Sequence, residues 1–432
     1  MSERRRGTCP GVREPLHTGD GWLARWTPHR SIPLGALIAL CDLAAERGNG
    51  VMEITQRGSL QIRGLPSDAS LEASFAQVGA KVQERPSLLS PALLGLEGDS
   101  NTFPVQVLDR IEAQLALQAP DRPLNPKVSI LLDYDSPLHL AQLTADIRLH
   151  CSGTRIHLAL GADARAATAL GWMTLEGLPH ALQTILSELE QRGESARAHD
   201  LTSGSAFGVL RTALSPWLTS GERPPARPAA DPIGRFPLAD GSIARGVGLA
   251  FGHVSAKSMR DLARTAQHLG AHAIRPAPDR TMLVCGLPQA SETDFLNAAG
   301  EAGMVTSTTD ARRFVIACPG QPICGSAYLP TRALAPEVAV AARGLLGPDS
   351  IIHLSGCPKG CAHPKPAPLT FVGPDAVVLA GRADAAPARH MGSEELIAAL
   401  QHLRNRLDAD GARRPGNTFA RLCEPPSLHR AE

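Results

Sequence analysis

The strongest constraint on the fold is an internal repeat. Asp20–Arg25 reads DGWLAR, and 220 residues later Asp240–Arg245 reads DGSIAR. CDLAAERGNG and RDLARTAQHLG follow, helical in pattern and ending at Gly48 and Gly270. Two short apolar runs come next in each copy: VMEIT and LQIRGLP in the first, AHAIR and TMLVCGLP in the second. Gly64-Leu65-Pro66 and Gly286-Leu287-Pro288 close them. Each copy therefore predicts strand, helix, strand, strand, which is half of a ferredoxin-like sandwich. Chance likeness between two common patterns does not explain tripeptides that agree in both order and spacing. Two such halves in one chain can pair about a pseudo-dyad and leave a cleft near the axis.

The division expected is an N-terminal extension at 1–16, a first half-domain at 17–75 and a first α/β lobe at 76–215. A linker at 216–237 contains GERPPARPAADP, whose prolines favour extended backbone. A second half-domain at 238–290, a second α/β lobe at 291–421 and a tail at 422–432 complete an α+β chain. Its 432 residues suffice for several domains with an ample core. With 43 basic and 42 acidic residues, bulk electrostatics favour neither nucleic acid nor an anionic membrane as partner. The longest apolar stretch, Ile32–Leu40, is too short to span a bilayer. Arg4–Arg6 open like an export signal, but Gly7-Thr8-Cys9-Pro10 follows instead of an apolar run. A cytoplasmic location is expected, with the nine cysteines as thiols.

Four of those cysteines stand as Cys-x5-Cys (Cys318, Cys324) and Cys-x3-Cys (Cys357, Cys361), framed by ACPGQPICGSAY and LSGCPKGCAHP. Four thiolates can close one iron–sulfur cubane, and flanking glycines let backbone N–H groups approach the sulfurs. Structural zinc prefers tighter knuckles, and a thioredoxin-type Cys-x-x-Cys is absent. Cys41, Cys151 and Cys285 lie in apolar runs and read as core. Cys423 is near the tail. Cys9 shares the Cys-Pro-Gly turn of Cys318 and could face the same site. No Gly-x-Gly-x-x-Gly follows a strand, so electrons are expected from an external donor, a ferredoxin or an NADH-linked reductase.

The cysteine spacing behind an internal duplication resembles the sirohaem nitrite and sulfite reductase superfamily. The segment Thr55-Gln56-Arg57-Gly58-Ser59-Leu60-Gln61 resembles its Thr-x-Arg-x-Asn-x-Gln signature, with Ser59 where Asn is usual. The resemblance implies a 4Fe–4S cluster on Cys318, Cys324, Cys357 and Cys361. Cys361 would face the tetrapyrrole or bridge a sirohaem iron. Arg57, Gln61 and Arg63 are expected to alternate on one strand face, a row of donors suited to tetrapyrrole carboxylates, with Thr55 and Lys127 beside them.

RRRGTCPGV, LNPKVSILLDYDSP and HLSGCPKGCAHPKPAPLTFVG resemble one branch, the precorrin-3B synthase family. In the second repeat RPAPDR keeps charges at Arg275 and Arg280. Membership implies an iron–sulfur mono-oxygenase of aerobic cobalamin biosynthesis. It would convert precorrin-3A, O2 and reducing equivalents from NADH into precorrin-3B, hydroxylated at C20 and carrying a γ-lactone. A mononuclear non-haem iron is implied beside the cluster, but no ligand motif for it is visible. His363, His353, His253 and His150 are candidate ligands, and Lys359 is a candidate charge partner for the substrate. The alternatives are a sirohaem-dependent sulfite or nitrite reductase and a non-catalytic iron–sulfur carrier or sensor.

Overall fold

The computed structural model describes residues 9–67, 70–79, 82, 86–98, 102–117, 123–410 and 418–423. Arg4–Thr8 of the opening motif and residues 424–432 of the tail lie outside them. The two repeats build a central unit of two five-stranded sheets. The first sheet runs Leu16–Thr18, Gly21–Trp26, Leu60–Leu65, Val51–Ile54 and His253–Ser255. The second runs Arg235–Pro237, Ile243–Gly248, Thr281–Leu287, Ala273–Ala277 and Ile32–Pro33. All neighbours are antiparallel. Each sheet takes its last strand from the other repeat: Val254 pairs with Met52, and Ile32 with Ile274. The expected strand–helix–strand–strand order is present, and the exchanged edge strands weld the halves together. This welding covers edges that would otherwise expose unpaired backbone.

Helices Leu34–Arg47 and Ala256–His268 fill the space between the sheets. The second begins at Ser255, whose hydroxyl accepts from the Ser258 amide, a standard N-cap bond. Its buried stripe, Met259, Leu262, Ala263 and Ala266, joins Leu37, Leu40 and Ala44 of the first helix in one core. An Arg260–Asp42 ion pair at 2.8 Å ties the helices at their rim. The repeated Gly-Leu-Pro signature has a steric cause. Gly64 has φ +70° and a Cβ there would fall 2.5 Å from Asn49; Gly286 has φ +81° and a Cβ would fall 1.9 Å from the His272 ring.

The duplication extends to the lobes. The first lobe orders Ser87–Leu89, Ser129–Tyr134, Ile147–Ser152, Arg155–Leu160 and Thr168–Met173, with the first two pairings parallel and the last two antiparallel. The second lobe orders Val315–Ala317, Ile352–Ser355, Ala367–Val372, Ala376–Gly381 and Arg389–His390 with the same pattern. Helices Thr102–Ala116, Leu178–Gln191 and Gly204–Leu214 cover the first sheet, and Thr331–Ala341 and Ser393–Asp410 the second.

The proline-rich stretch is extended but laid onto the protein. Thr219 pairs with Trp172, the Trp172 indole donates to the Glu222 carbonyl, and Arg227 meets Asp133 at 2.6 Å. Its end, read from sequence as linker, is strand Arg235–Pro237, because its amides and carbonyls find partners along Ile243–Arg245. Among the described residues no helix is long and apolar enough to cross a membrane.

Candidate functional site

Strands Val315–Ala317 and Ile352–Ser355 are adjacent and parallel, so the loops that follow them leave from the same edge of the sheet. Topology therefore closes the sequence gap between the two cysteine pairs. Cys318 comes directly after the first strand and Cys357 two residues after the second. Cys318, Cys324, Cys357 and Cys361 all line one small cavity. Cys318 is 7% exposed, and its sulfur accepts from the Gly356 amide at 3.1 Å. Gly19, from the first half-domain, comes so close that a Cβ would fall 2.4 Å from the Cys324 sulfur. The Gly325 amide donates to the Gly19 carbonyl at 2.9 Å, which holds that approach.

Burial pushes the Cys318 thiol up, against hydrogen bonds from the Gly356 amide and the Thr331 hydroxyl. Burial also raises Cys361, and its three fellow cysteines add to the shift, Cys357 first. Four thiolates converging in this way need compensating positive charge, which a metal cluster supplies. Among the described residues no three His, Cys, Asp or Glu side chains are spaced to share one ion. A cubane presents four separate irons, so its thiols stand further apart than the ligands of a single ion. The donor set, the glycine approaches and the common cavity fit such a cluster.

A larger cavity of about 1020 Å³ opens beside the first, at the upper end of the range for small-molecule sites. Cys361 lines both and so stands at their junction. Much of the wall comes from the outer face of the first central sheet, the first lobe's loop around Leu138–Asp146 and the second repeat's turn at Pro278–Arg280, and the N-terminal segment at Cys9–Glu14 and the linker at Ala229–Pro232 add to it.

The expected donors are all here, with different duties. The strand begins at Leu60, so Arg57 is in the preceding turn and does not alternate on the strand with Gln61 and Arg63. That turn exists because the Thr55 hydroxyl accepts from the Arg57 and Ser59 amides, while Gly58 takes φ +78°. Thr55 thus shapes the loop, and Ser59 is buried against the Thr27 hydroxyl at 2.8 Å. Arg57 reaches the cavity wall and donates to the Thr144 carbonyl at 2.7 Å. Arg63 holds Asp20 with two bonds of 2.8 Å and Glu53 at 3.2 Å. Burial alone would lower its pKa, but Glu53 and Asp20 together raise it, so its charge is already matched. Glu53 also meets Arg332 at 3.0 Å, which joins the neighbouring strand Val51–Ile54 to helix Thr331–Ala341. Lys127 lines the cavity, whereas Lys359 donates to the Ser326 hydroxyl beside the cysteines.

Three further cavity residues were not singled out from sequence as ligands. Arg25 pairs across the strands with Gln61 and donates to its side-chain oxygen at 2.9 Å. Arg280 sits at φ +60° under Gly252, where a Cβ would fall 2.9 Å from its Cδ. Its amide and that of Asp279 donate to the Thr55 and Gln56 carbonyls, docking the two repeats' turns on each other. Arg25, Arg57 and Arg280 form no ion pair with a described carboxylate, and burial lowers the pKa of each. Arg197 also lines the cavity but is held by Asp146 at 2.8 Å. The signal for Arg25 was in view, since it ends the repeated DGWLAR motif. Cys9 lines the same cavity.

The candidate histidines part company. His150 lies in the first lobe against Arg227. His253 is on the exchanged strand opposite Glu53, and burial pulls its pKa down to about 4. His353 and His363 come together, with ring centroids 5.7 Å apart.

No family profile matches the chain. It is 33% identical over 414 residues to precorrin-3B synthase of a Sinorhizobium species, covering 93% of this chain and 89% of the relative. A 101-residue stretch is 32% identical to the sulfite reductase [NADPH] hemoprotein beta-component of Methylobacterium nodulans, 22% of this chain and 17% of that one. The solved structure of the Mycobacterium tuberculosis NirA protein superposes with a TM-score of 0.68 at 18% identity. It covers 92% of this chain and 83% of that protein, a likeness that shows a common fold.

Proposed function

The chain belongs to the precorrin-3B synthases, oxidoreductases of cobalamin biosynthesis with the nitrite/sulfite reductase-like fold, and on that premise we propose how its two cavities divide the work. The large cavity takes precorrin-3A as substrate, and the small one takes a 4Fe–4S cluster on Cys318, Cys324, Cys357 and Cys361. When bound, the cluster supplies single electrons and a mononuclear non-haem iron supplies the centre at which dioxygen is activated. The overall reaction is hydroxylation of precorrin-3A at C20 with γ-lactone formation, reducing equivalents coming from NADH through an external donor.

The observation that carries this reading is the place of Cys361, on the shared wall of both cavities. Electrons arriving at the cysteine loop then have a short path to a bound tetrapyrrole. Arg25, Arg57 and Arg280 line the large cavity and form no ion pair with a described carboxylate, so carboxylate arms of the substrate complete them. Arg63, already matched by Asp20 and Glu53, positions rather than binds: it holds Glu53, which orients Gln61. Thr55 fixes the Arg57 turn, and Lys127 adds charge to the cavity lining. Burying most of the macrocycle also excludes water from the reacting face.

The decisive test is turnover of precorrin-3A by cluster-loaded protein under 18O2 with a reduced electron carrier. One labelled oxygen in the product supports the reading. An unlabelled product, or a strong sirohaem Soret band in the purified protein with sulfite or nitrite turnover, would overturn it.

A further inference from the structure

Among the described residues, five that are not glycine take a left-handed φ: Ala162, Phe251, Asp279, Arg280 and Ala380. All but Ala380 line the large cavity. Such a conformation costs free energy for a bulky side chain and persists only where its surroundings impose it. Three of them gather in one place. The Leu249 amide donates to the Arg280 carbonyl at 2.9 Å, so the Ala250–Gly252 turn lies against Asp279 and Arg280. From the other side the Gln56 and Thr55 carbonyls accept from the Asp279 and Arg280 amides at 3.1 and 3.3 Å. Turns from both repeats thus fix the Arg280 backbone, and Gly252 has no side chain to obstruct the Arg280 Cδ.

What this arrangement aims is a half-buried guanidinium that reaches the cysteine loop. Arg280 Nη2 donates to the Ala362 carbonyl at 3.4 Å, and Ala362 directly follows Cys361. The bond is long, and among the described residues it is the side chain's only hydrogen bond, so donors remain for a ligand in the cavity. The other two arginines without an ion pair point elsewhere: Arg25 donates to Gln61 and Arg57 to Thr144 of the first lobe. Of the three, Arg280 is the one that bonds to the chain carrying Cys361. A cation at this position, partly withdrawn from water, favours added negative charge in the cysteine loop. Reduction of a cluster held there adds one such charge, so Arg280 keeps the reduction potential up while the large cavity is empty. A carboxylate that pairs with the guanidinium offsets its charge and lets the potential fall.

We infer that Arg280 couples the two cavities: a carboxylate-bearing substrate in the large one lowers the reduction potential at the four cysteines of the small one. By linkage, the oxidised protein then binds that substrate more tightly than the reduced protein, by the same factor. The strained turn has a use in this scheme. It holds the guanidinium between cavity and loop before any ligand arrives, so pairing with the substrate needs no rearrangement of the backbone. The coupling deepens the precorrin reading and rests on it for the identity of the ligand, whereas the effect of the Arg280 charge is measured without substrate.

The test is an EPR-monitored redox titration of the cluster-loaded full chain, without and with saturating precorrin-3A. Without substrate, Arg280→Gln should disfavour reduction about tenfold, a fall of about 59 mV for one electron. Arg280→Lys keeps the charge and should titrate with the wild type. Arg57→Gln removes a charge that faces the first lobe and should move the potential less than half as far. Precorrin-3A should lower the wild-type potential, and lower that of Arg280→Gln by a smaller step. Equal substrate-free potentials for the wild type and cluster-loaded Arg280→Gln would overturn the coupling. So would a wild-type potential unmoved by substrate that fluorescence shows to be bound, and this result decides the matter if the variant does not load its cluster. Absence of precorrin-3A binding would instead remove the precorrin reading, with the substrate-free comparison still deciding the role of Arg280.

Discussion

The outer faces of the two central sheets present opposite chemistry. In the first repeat Arg25, Glu53, Gln61 and Arg63 face the large cavity. In the second, counting back from Gly-Leu-Pro, the positions of Gln61 and Arg63 are Leu283 and Cys285. They pack with Ala244 and Ala273 against Leu93 and Leu138 of the first lobe. The position that corresponds to Glu53 is Arg275, buried and donating to the His29 and Leu94 carbonyls and the Ser31 hydroxyl. The arginines that end the matching motifs also part. Arg25 pairs with Gln61, but Arg245 pairs with Val284, one residue off in register. A shift of one turns a strand's side chains to the other face. Arg245 therefore points at Glu292 on the helical side. Gly246 takes the outward position, where a Cβ would lie 1.6 Å from the Pro232 carbonyl oxygen. One half keeps a polar cleft, and in the other the linker and an apolar plug have closed it. Duplication supplies two equivalent surfaces, but only one needs to remain open.

The largest expected effect concerns the lobes, where equivalent loops carry cysteines only in the second. Cys357→Ser should abolish the cluster, read as loss of its iron and its reduced EPR signal, and lower stability with it. Next comes a reciprocal exchange between the sheets. Leu283→Gln places an amide in the apolar plug and should cost about 2–4 kcal/mol in denaturant unfolding. Gln61→Leu should cost about 1 kcal/mol or less while weakening precorrin binding about tenfold. Equal destabilisation by both would break the contrast between an open and a closed face.

Arg25→Ala should weaken binding by roughly 30-fold or more, the loss of a charge pair in a partly desolvated site. Arg245→Ala should leave binding unchanged in the same fluorescence titration. A smaller effect concerns the bolt between the first lobe and the central unit, where Glu112 meets His29 at 2.7 Å and Arg30 at 2.6 Å. Burial would raise the Glu112 pKa, but those partners bring it from 4.5 down to about 2. A depressed carboxyl pKa gives stability that is full above the unfolded value and fades as pH falls towards 2. Glu112→Gln should therefore lower stability at pH 7 and flatten its fall between about pH 4.5 and 2, measured by thermal melts across that range.

Much of the site was legible because its chemistry is local. Cysteine pairs with glycine neighbours mark thiols that the fold gathers at one cavity, and Gly58, Gly64 and Gly286 mark turns that only their φ permits. What was not legible depends on partners far along the chain. Arg63 reads like a ligand until Asp20 and Glu53 are seen to hold it. Arg57 reads as a strand residue until the Thr55 hydroxyl pulls it into a turn. His353 is one of four candidate histidines until its buried, unmatched ring is seen beside His363.

By itself the sequence determined the duplication, the order of elements in each repeat and the four thiols, because periodicity, turn residues and ligand type are properties of short segments. The tertiary structure decided which half keeps a cleft, that the edge strands are exchanged, and that Cys361 stands between two cavities. Those outcomes rest on strand register and on what packs against each face. A one-residue register difference costs nothing visible in DGWLAR and DGSIAR, yet it sends their arginines to opposite sides of the sheet.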